Sequence, residues 1–156
     1  MTTNLTAIGT VRTSLQGFEI QLEKPYRPGL KGLSGFSHAH IIWLADRSST
    51  AENNNSLVCP KPYTASDQDI GVFGSRSPAR PNPICMSVVM ISGLDEENGI
   101  LKMPFIDTMP DTPVLDIKPY FPASDRVESA RIPEHFSHWP KSYEASAHFD
   151  WAAEFR

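Results

Sequence analysis

Residues 70–106 read IGVFGSRSPARPNPICMSVVMISGLDEENGILKMPFI, in which a proline-studded loop passes into an apolar run, a polar turn and a second apolar run. Pro78, Pro81 and Pro83 each fix φ and remove a backbone N–H, so Ile70 to Pro83 cannot pair as a central strand. Met86 to Ser92 (MSVVMIS) and Ile100 to Ile106 have strand length, with a turn around Asp95 to Gly99 (DEENG) between them. Neither run shows the i, i+3, i+4, i+7 spacing of an amphipathic helix. The stretch therefore sets a β-rich reading for the whole chain.

Outward from it, the pattern repeats. Ala7 to Arg12 reads as a first strand, and Phe18 to Leu22 as a second, whose alternation puts Phe18, Ile20 and Leu22 on one face. Pro25 to Gly35 (PYRPGLKGLSG) is a loop. His38 to Ala45 (HAHIIWLA) is apolar enough for a strand buried on both faces, and it runs straight into Asp46 and Arg47. Ser48 to Asp69 is polar, Asn-rich and aperiodic, which marks it as a mobile insert. Thr112 to Tyr120 (TPVLDIKPY) is a further strand. In Glu144 to Phe155 the residues Ala145, Ala147, Phe149 and Trp151 alternate, favouring a strand with a helix as the alternative. Short strands with little helix indicate an all-β barrel or sandwich.

Composition bounds the function. The chain has 156 residues with Lys+Arg 14 against Asp+Glu 18, a net charge of -4, which fits one domain over residues 1–156. Proline at 14 and glycine at 9 fall short of a low-complexity chain, while a 40% hydrophobic content supplies a core. Cys59 and Cys85 show neither CxxC spacing nor a disulfide framework, so reduced thiols in the cytoplasm are expected. The N-terminal stretch lacks the charged leader and apolar run of a signal peptide, and no run is long enough to span a membrane. A net acidic balance argues against indiscriminate nucleic-acid binding and leaves room for a local patch. Residues 1–48 hold five basic and three acidic groups, so Arg12, Lys24, Arg27, Lys31 and Arg47 are the first candidates for contact with a polyanion.

Two segments carry the chemistry. The stiff loop GVFGSRSPARPNP holds Arg76, Ser77, Arg80 and Asn82, two cation forks and two neutral hydrogen-bonders that suit a carboxylate, a phosphate or a nucleobase edge. The bland alternative is a barrel corner with solvated arginines. In TPVLDIKPY a period of two places Asp116, Lys118 and Tyr120 on one face, opposite Leu115, Ile117 and Pro119. That stripe reads either as the solvent face of an edge strand or as a pocket wall, with Asp116 accepting hydrogen bonds, Lys118 orienting it and Tyr120 stacking. His38 and His40 share a strand face without a third metal ligand nearby in sequence, so no metal is expected. Phe136, Trp139 and Tyr143, with Pro133 and Pro140, serve either as a recognition surface or as anchors for a long C-terminal connection.

These segments resemble the YaeB/TsaA-like family of S-adenosylmethionine-binding β-barrels, which includes the bacterial methyltransferase acting on N6-threonylcarbamoyladenosine at tRNA position 37. The similarity runs in order through IGTVRT (Ile8 to Thr13), YRPGLKG (Tyr26 to Gly32), GFSHAHIIW (Gly35 to Trp43), GVFGSRSPARPNPI (Gly71 to Ile84) and TPVLDIKPY. The resemblance implies a partly open β-barrel, an S-adenosyl-L-methionine cofactor, methyl transfer to tRNA and a homodimer with the cofactor near the interface. It implies cofactor contacts at Tyr26, Arg27 and Pro28, at Asp46 and Arg47, at Arg76, at Met86, and at Ile106, Asp107, Thr108 and Met109. An exocyclic adenine nitrogen is a poor nucleophile, so an acceptor for its proton helps; Asp116 is the candidate, with Lys118 orienting it. Arg80, Asn82 and Tyr120 are the candidate nucleotide contacts.

The sequence departs from that pattern at three places. The strand that often ends in an aromatic and His here ends in Ala45, Asp46 and Arg47; Cys85 replaces the Gly of PNPIG; and Asp111 replaces the Gly of DGTP. These departures keep two alternatives open, an S-adenosylmethionine-binding module without transfer and a methyltransferase with another acceptor. A third reading is a β-barrel partner protein whose arginine loop binds an acidic protein.

Overall fold

A computed structural model describes residues 4–156. Met1 to Thr3, the start of the stretch read as lacking a leader, lie outside the described residues. Among the described residues nine strands form in chain order: β1 (Gly9–Ser14), β2 (Gly17–Leu22), β3 (His38–Leu44), β4 (Val58–Cys59), β5 (Ile70–Gly71), β6 (Ile84–Met90), β7 (Gly93–Asp95), β8 (Ile100–Met103) and β9 (Pro113–Pro119). Seven of them make one antiparallel sheet in the order β6-β3-β9-β1-β2-β8-β7, and β4 pairs with β5 apart from it. The helical elements are short, a seven-residue 3-10 run over Lys24–Leu30 and single turns, among them α1 (Ala51–Asn55), α2 (Pro122–Asp125) and α3 (Tyr143–Ser146). Among the described residues no helix is long and apolar enough to cross a membrane.

The connection between the sheet's two edges dictates its shape. Strands β6 and β7 lie at opposite ends of the strand order, roughly 29 Å apart if the sheet were flat. Only Ile91 and Ser92 separate them in sequence, and so short a link reaches roughly 10 Å at most. The sheet must therefore curl until its edges approach, although β6 and β7 form no ladder with each other. The result is a β-rich, partly open barrel rather than a closed one.

Alternation places the core. Val11, Ile20, Leu22, Ala39, Ile41, Val89, Leu101, Met103 and Val114 are buried inside the curl, with Phe18, Trp43 and Ile117 packed against them. Removing such side chains from water supplies about 1.5–3 kcal/mol each and holds the strands in register. The strand His38–Leu44 is not buried on both faces. Ala39 and Ile41 are fully buried, whereas His38, His40, Ile42 and Leu44 are only partly covered. Strand β9 also breaks strict alternation: Ile42 pairs with Asp116 but Trp43 pairs with Val114, a bulge that leaves Leu115 unpaired. The phase shifts there, and Val114 rather than Leu115 reaches the core.

Other sequence expectations are corrected too: Pro25 to Gly35, expected as a loop, lies within a 3-10 run over Lys24–Leu30 and a turn over Leu33–Gly35. The Asn-rich insert is built: Asn53 Nδ2 donates to the Ser48 carbonyl at 2.9 Å and Asn55 Nδ2 to the Ala51 carbonyl at 2.8 Å, closing α1. Val58 and Cys59 then pair with Gly71 and Ile70. Glu144 to Phe155 is not a strand. Ser142 Oγ accepts the Ala145 N–H at 3.2 Å and caps a helical turn, and only Phe155 makes a β-bridge, to Tyr63.

Candidate functional site

A cleft of about 360 Å³ opens beside the start of β2, lined by Phe18, Trp43, Ala45, Asp46, Arg47, Ser48, Pro78, Phe105, Ile106, Asp107, Thr108, Met109 and Thr112. Three chain segments meet there. The turn Asp46–Ser48 follows β3, the run Phe105 to Met109 follows β8, and Pro78 comes from the proline loop. Arg47 ties the first two together, its Nη1 lying 3.3 Å from Met109 Sδ and its Nη2 donating to the Pro110 carbonyl at 3.0 Å. Thr108 Oγ1 donates to Thr112 Oγ1 at 2.8 Å and closes the following turn. The Trp43 indole N–H donates to Ser87 Oγ at 3.0 Å, which fixes that wall. Phe105 is 63% exposed at the rim, edge-on to Phe18.

Six positions assigned to the cofactor by resemblance thus share one cavity: Asp46, Arg47, Ile106, Asp107, Thr108 and Met109. The others do not line it. Arg76 is exposed and, among the described residues, has no hydrogen-bond or ion-pair partner. Met86 is half-exposed on the edge strand β6, opposite Ile42. Tyr26 lines a second cavity of about 360 Å³ with Leu22, Leu30, Lys31, Phe36 and Asp116. Arg27 donates to the Glu97 carbonyl at 3.3 Å and packs its chain over Gly99. Phe18 marks the first cavity and Leu22 the second, so about four residues, roughly 13 Å of strand, separate them along β2. Pattern reading missed Phe18, Trp43, Pro78 and Phe105 as cleft walls; the signal was the aromatic Phe105 beside Ile106 in a run taken wholly as strand.

The polar stripe on β9 faces as its alternation indicates. Lys118 Nζ lies 2.7 Å from Asp116 Oδ2, and the Tyr120 ring lies 5.5 Å from that of His40. Hydrogen bonding to Asp116 raises the Lys118 ammonium above its ordinary value. Asp116 Oδ1 accepts the Ile117 N–H at 2.9 Å, so the carboxylate also caps the strand edge where β9 leaves β1. His40 Nε2 pairs with Asp125 Oδ2 at 3.1 Å, tying α2 to β3. Among the described residues no group of three His, Cys, Asp or Glu is placed to hold a metal ion.

In the proline loop, Asn82 is exposed and its carbonyl accepts the Ile84 N–H at 2.7 Å. Arg80 turns inward, its Nη2 donating to the carbonyls of Val72 at 2.7 Å and Ser75 at 2.8 Å. Burial pushes the Cys85 thiol above its ordinary value, with the opposing charges of Arg80 and Asp107 close by. Phe136 and Trp139 pack on Tyr63, at 4.6 Å and 5.7 Å between ring centroids, and so anchor the C-terminal connection.

The family profile described as the tRNA-methyltransferase O N-terminal domain matches residues 9–126. An S-adenosyl-L-methionine-binding protein of Archaeoglobus fulgidus is 36% identical over 109 residues, 70% of this chain and 73% of its own. A tRNA (adenine(37)-N6)-methyltransferase of Escherichia coli K12 is 34% identical over 116 residues, 72% of this chain and 48% of its own. A crystal structure of TrmO from Pseudomonas aeruginosa superposes with a TM-score of 0.62 and 29% identity, covering 84% of this chain and 62% of that one. The chain spans 31% to 57% of the length of several curated relatives it matches.

Proposed function

Because this chain belongs to the family of the tRNA-methyltransferase O N-terminal domain, we propose that it binds S-adenosyl-L-methionine in the cleft beside β2 and acts as a methyltransferase. We further propose that its acceptor is the exocyclic nitrogen of threonylcarbamoyladenosine at position 37 of tRNA.

The observation that carries this reading is the gathering of Asp46, Arg47 and Ile106 to Met109 in one cavity. The donor set fits the cofactor. Arg47 matches a carboxylate, Asp46 and Asp107 match an amine or ribose hydroxyls, and Phe18, Trp43, Phe105 and Ile106 offer apolar walls to a purine. When bound, the cofactor supplies a sulfonium-activated methyl group. What this chain must then do is hold the acceptor within about 3–3.5 Å, exclude water and take a proton. Asp116 lines the second cavity with Tyr26, so it is the proposed proton acceptor only where a second copy of the chain brings that cavity to the cleft, with Lys118 its orienting partner and Asn82 and Tyr120 the proposed nucleotide contacts. Tyr26, Arg27 and Pro28 sit beyond the far end of β2, so they join the same site only from a second copy of the chain, which is the reason to propose a homodimer.

One observation favours the binding-module alternative: the Asp116 carboxylate is already engaged by Ile117 N–H and Lys118. Calorimetric titration with S-adenosyl-L-methionine, followed by turnover on hypomodified tRNA, separates the two. Micromolar binding weakened roughly ten- to hundredfold by Arg76→Ala supports the cofactor site, since a charge-assisted hydrogen bond is worth about 1.5–3 kcal/mol. Binding without S-adenosylhomocysteine production would favour the module. No binding would remove both.

A further inference from the structure

We propose that Arg80 is a positioning residue for the cofactor cleft, locking the proline loop so that Pro78 forms its wall and Arg76 projects from it. The inference rests on the cleft being the S-adenosyl-L-methionine site.

Its basis is how the polar groups of Val72 to Arg80 are used. Val72–Gly74 is a single 3-10 turn closed by the Ser75 N–H on Val72 O at 3.2 Å, and two carbonyls of this stretch, those of Val72 and Ser75, take side-chain donors. One nitrogen of the Arg80 guanidinium supplies them, donating to Val72 O at 2.7 Å and to Ser75 O at 2.8 Å. The Ser75 hydroxyl adds a third bond to Val72 O at 3.0 Å and accepts the Ser77 N–H at 3.3 Å. Ser77 Oγ then accepts the Ala79 N–H at 3.2 Å.

The loop therefore closes on itself, and Pro78, Pro81 and Pro83 restrict what remains of its backbone freedom. Arg80 Nε is buried without a partner, so the guanidinium is held inward at the expense of one of its own hydrogen bonds. Arg76, in the same loop, is exposed, and Pro78 lines the cleft. The two arginines have divided roles: Arg80 sets the loop, and Arg76 is what the loop presents.

The test is calorimetric titration of wild type, Arg76→Ala, Arg80→Ala and Arg80→Lys with S-adenosyl-L-methionine, alongside amide hydrogen exchange of the unliganded proteins. Arg80→Ala is expected to weaken binding about tenfold. Lysine can still donate to both carbonyls, so Arg80→Lys is expected to bind within about threefold of wild type. Protection at Ser75, Ser77 and Ala79 is expected to fall in Arg80→Ala and persist in Arg80→Lys.

Full affinity in Arg80→Ala would overturn the proposal. If Arg80→Ala does not fold, Arg80→Lys decides alone, and a loss as large as that of Arg76→Ala overturns it. Unchanged exchange protection in Arg80→Ala also overturns it, whether or not the cofactor binds. A wild-type protein that fails to bind S-adenosyl-L-methionine, while Arg80→Ala loses protection, would overturn the cofactor reading and leave the loop lock standing.

Discussion

Asp111 has φ of 67°, in the left-handed region that side-chain-bearing residues rarely adopt. It stands where the resembling family favours glycine, so the departure seen in the sequence is a real backbone demand met by a residue that tolerates it less well. Replacing Asp111 with Gly is expected to stabilise the protein by about 1 kcal/mol, read as a higher urea midpoint with unchanged slope. Asp116 has two structural partners, Ile117 N–H and Lys118 Nζ, beside its proposed chemical role. If it accepts the proton, Asp116→Asn will lower turnover by about a hundredfold while leaving S-adenosyl-L-methionine affinity unchanged. Equal turnover in single-turnover assays would assign Asp116 to the strand edge alone. The stripe of Asp116, Lys118 and Tyr120 was legible because alternation has a period of two. The capping of Ile117 was not, because it depends on β9 having lost its neighbour β1 at that point.

Among the elements, the long strands were readable and the short ones were not. Phe18 to Leu22 and Thr112 to Tyr120 alternate over enough residues to declare a buried face, whereas β4, β5 and β7 hold two or three residues each. Strands that short exist because a partner offers a ladder. The β9 bulge was equally hidden, since nothing in TPVLDIKPY says that Leu115 lacks a partner while Val114 fills the core. The β1–β2 hairpin turns on Gly17, whose φ is 126° and where an added Cβ would lie 2.5 Å from the Pro104 carbonyl oxygen. Gly17→Ala is therefore expected to destabilise the fold by about 3 kcal/mol, visible as a lowered denaturation midpoint. The backbone of residues 103–104 blocks the Cβ directly, and no side-chain rotation relieves it.

Across the whole molecule, the last residues of the chain clasp the Asn-rich insert. The Thr64 N–H donates to the Glu154 carbonyl at 3.0 Å, Arg156 pairs with Asp67 at 3.0 Å, and Tyr63 is buried among Phe136, Trp139 and Phe155. Glu154 Oε2 holds this clasp from within, accepting the Trp139 indole N–H at 2.8 Å and lying 3.0 Å from His138 Nε2. The Trp139 bond, and then His138, hold the Glu154 carboxyl below its usual range. A carboxyl whose folded-state pKa is lowered stabilises fully above its unfolded value of about 4.3, and that contribution is lost as pH falls through the lowered value. The clasp is expected to loosen below about pH 4, read as a shift in tryptophan emission, and Glu154→Gln is expected to remove that acid dependence. Sequence by itself determined the β class, the proline loop, the polar stripe on β9 and the family, because each rests on local period, on proline covalent geometry or on residues met in order along the chain. Only the tertiary structure decided that six of the positions proposed for the cofactor share one cavity while Tyr26 lines another, that Arg80 faces inward and Arg76 outward, and that the tail closes on the insert. Those outcomes depend on which backbone carbonyls and aromatic faces lie unpaired once the sheet has curled, and groups far apart in sequence meet only then.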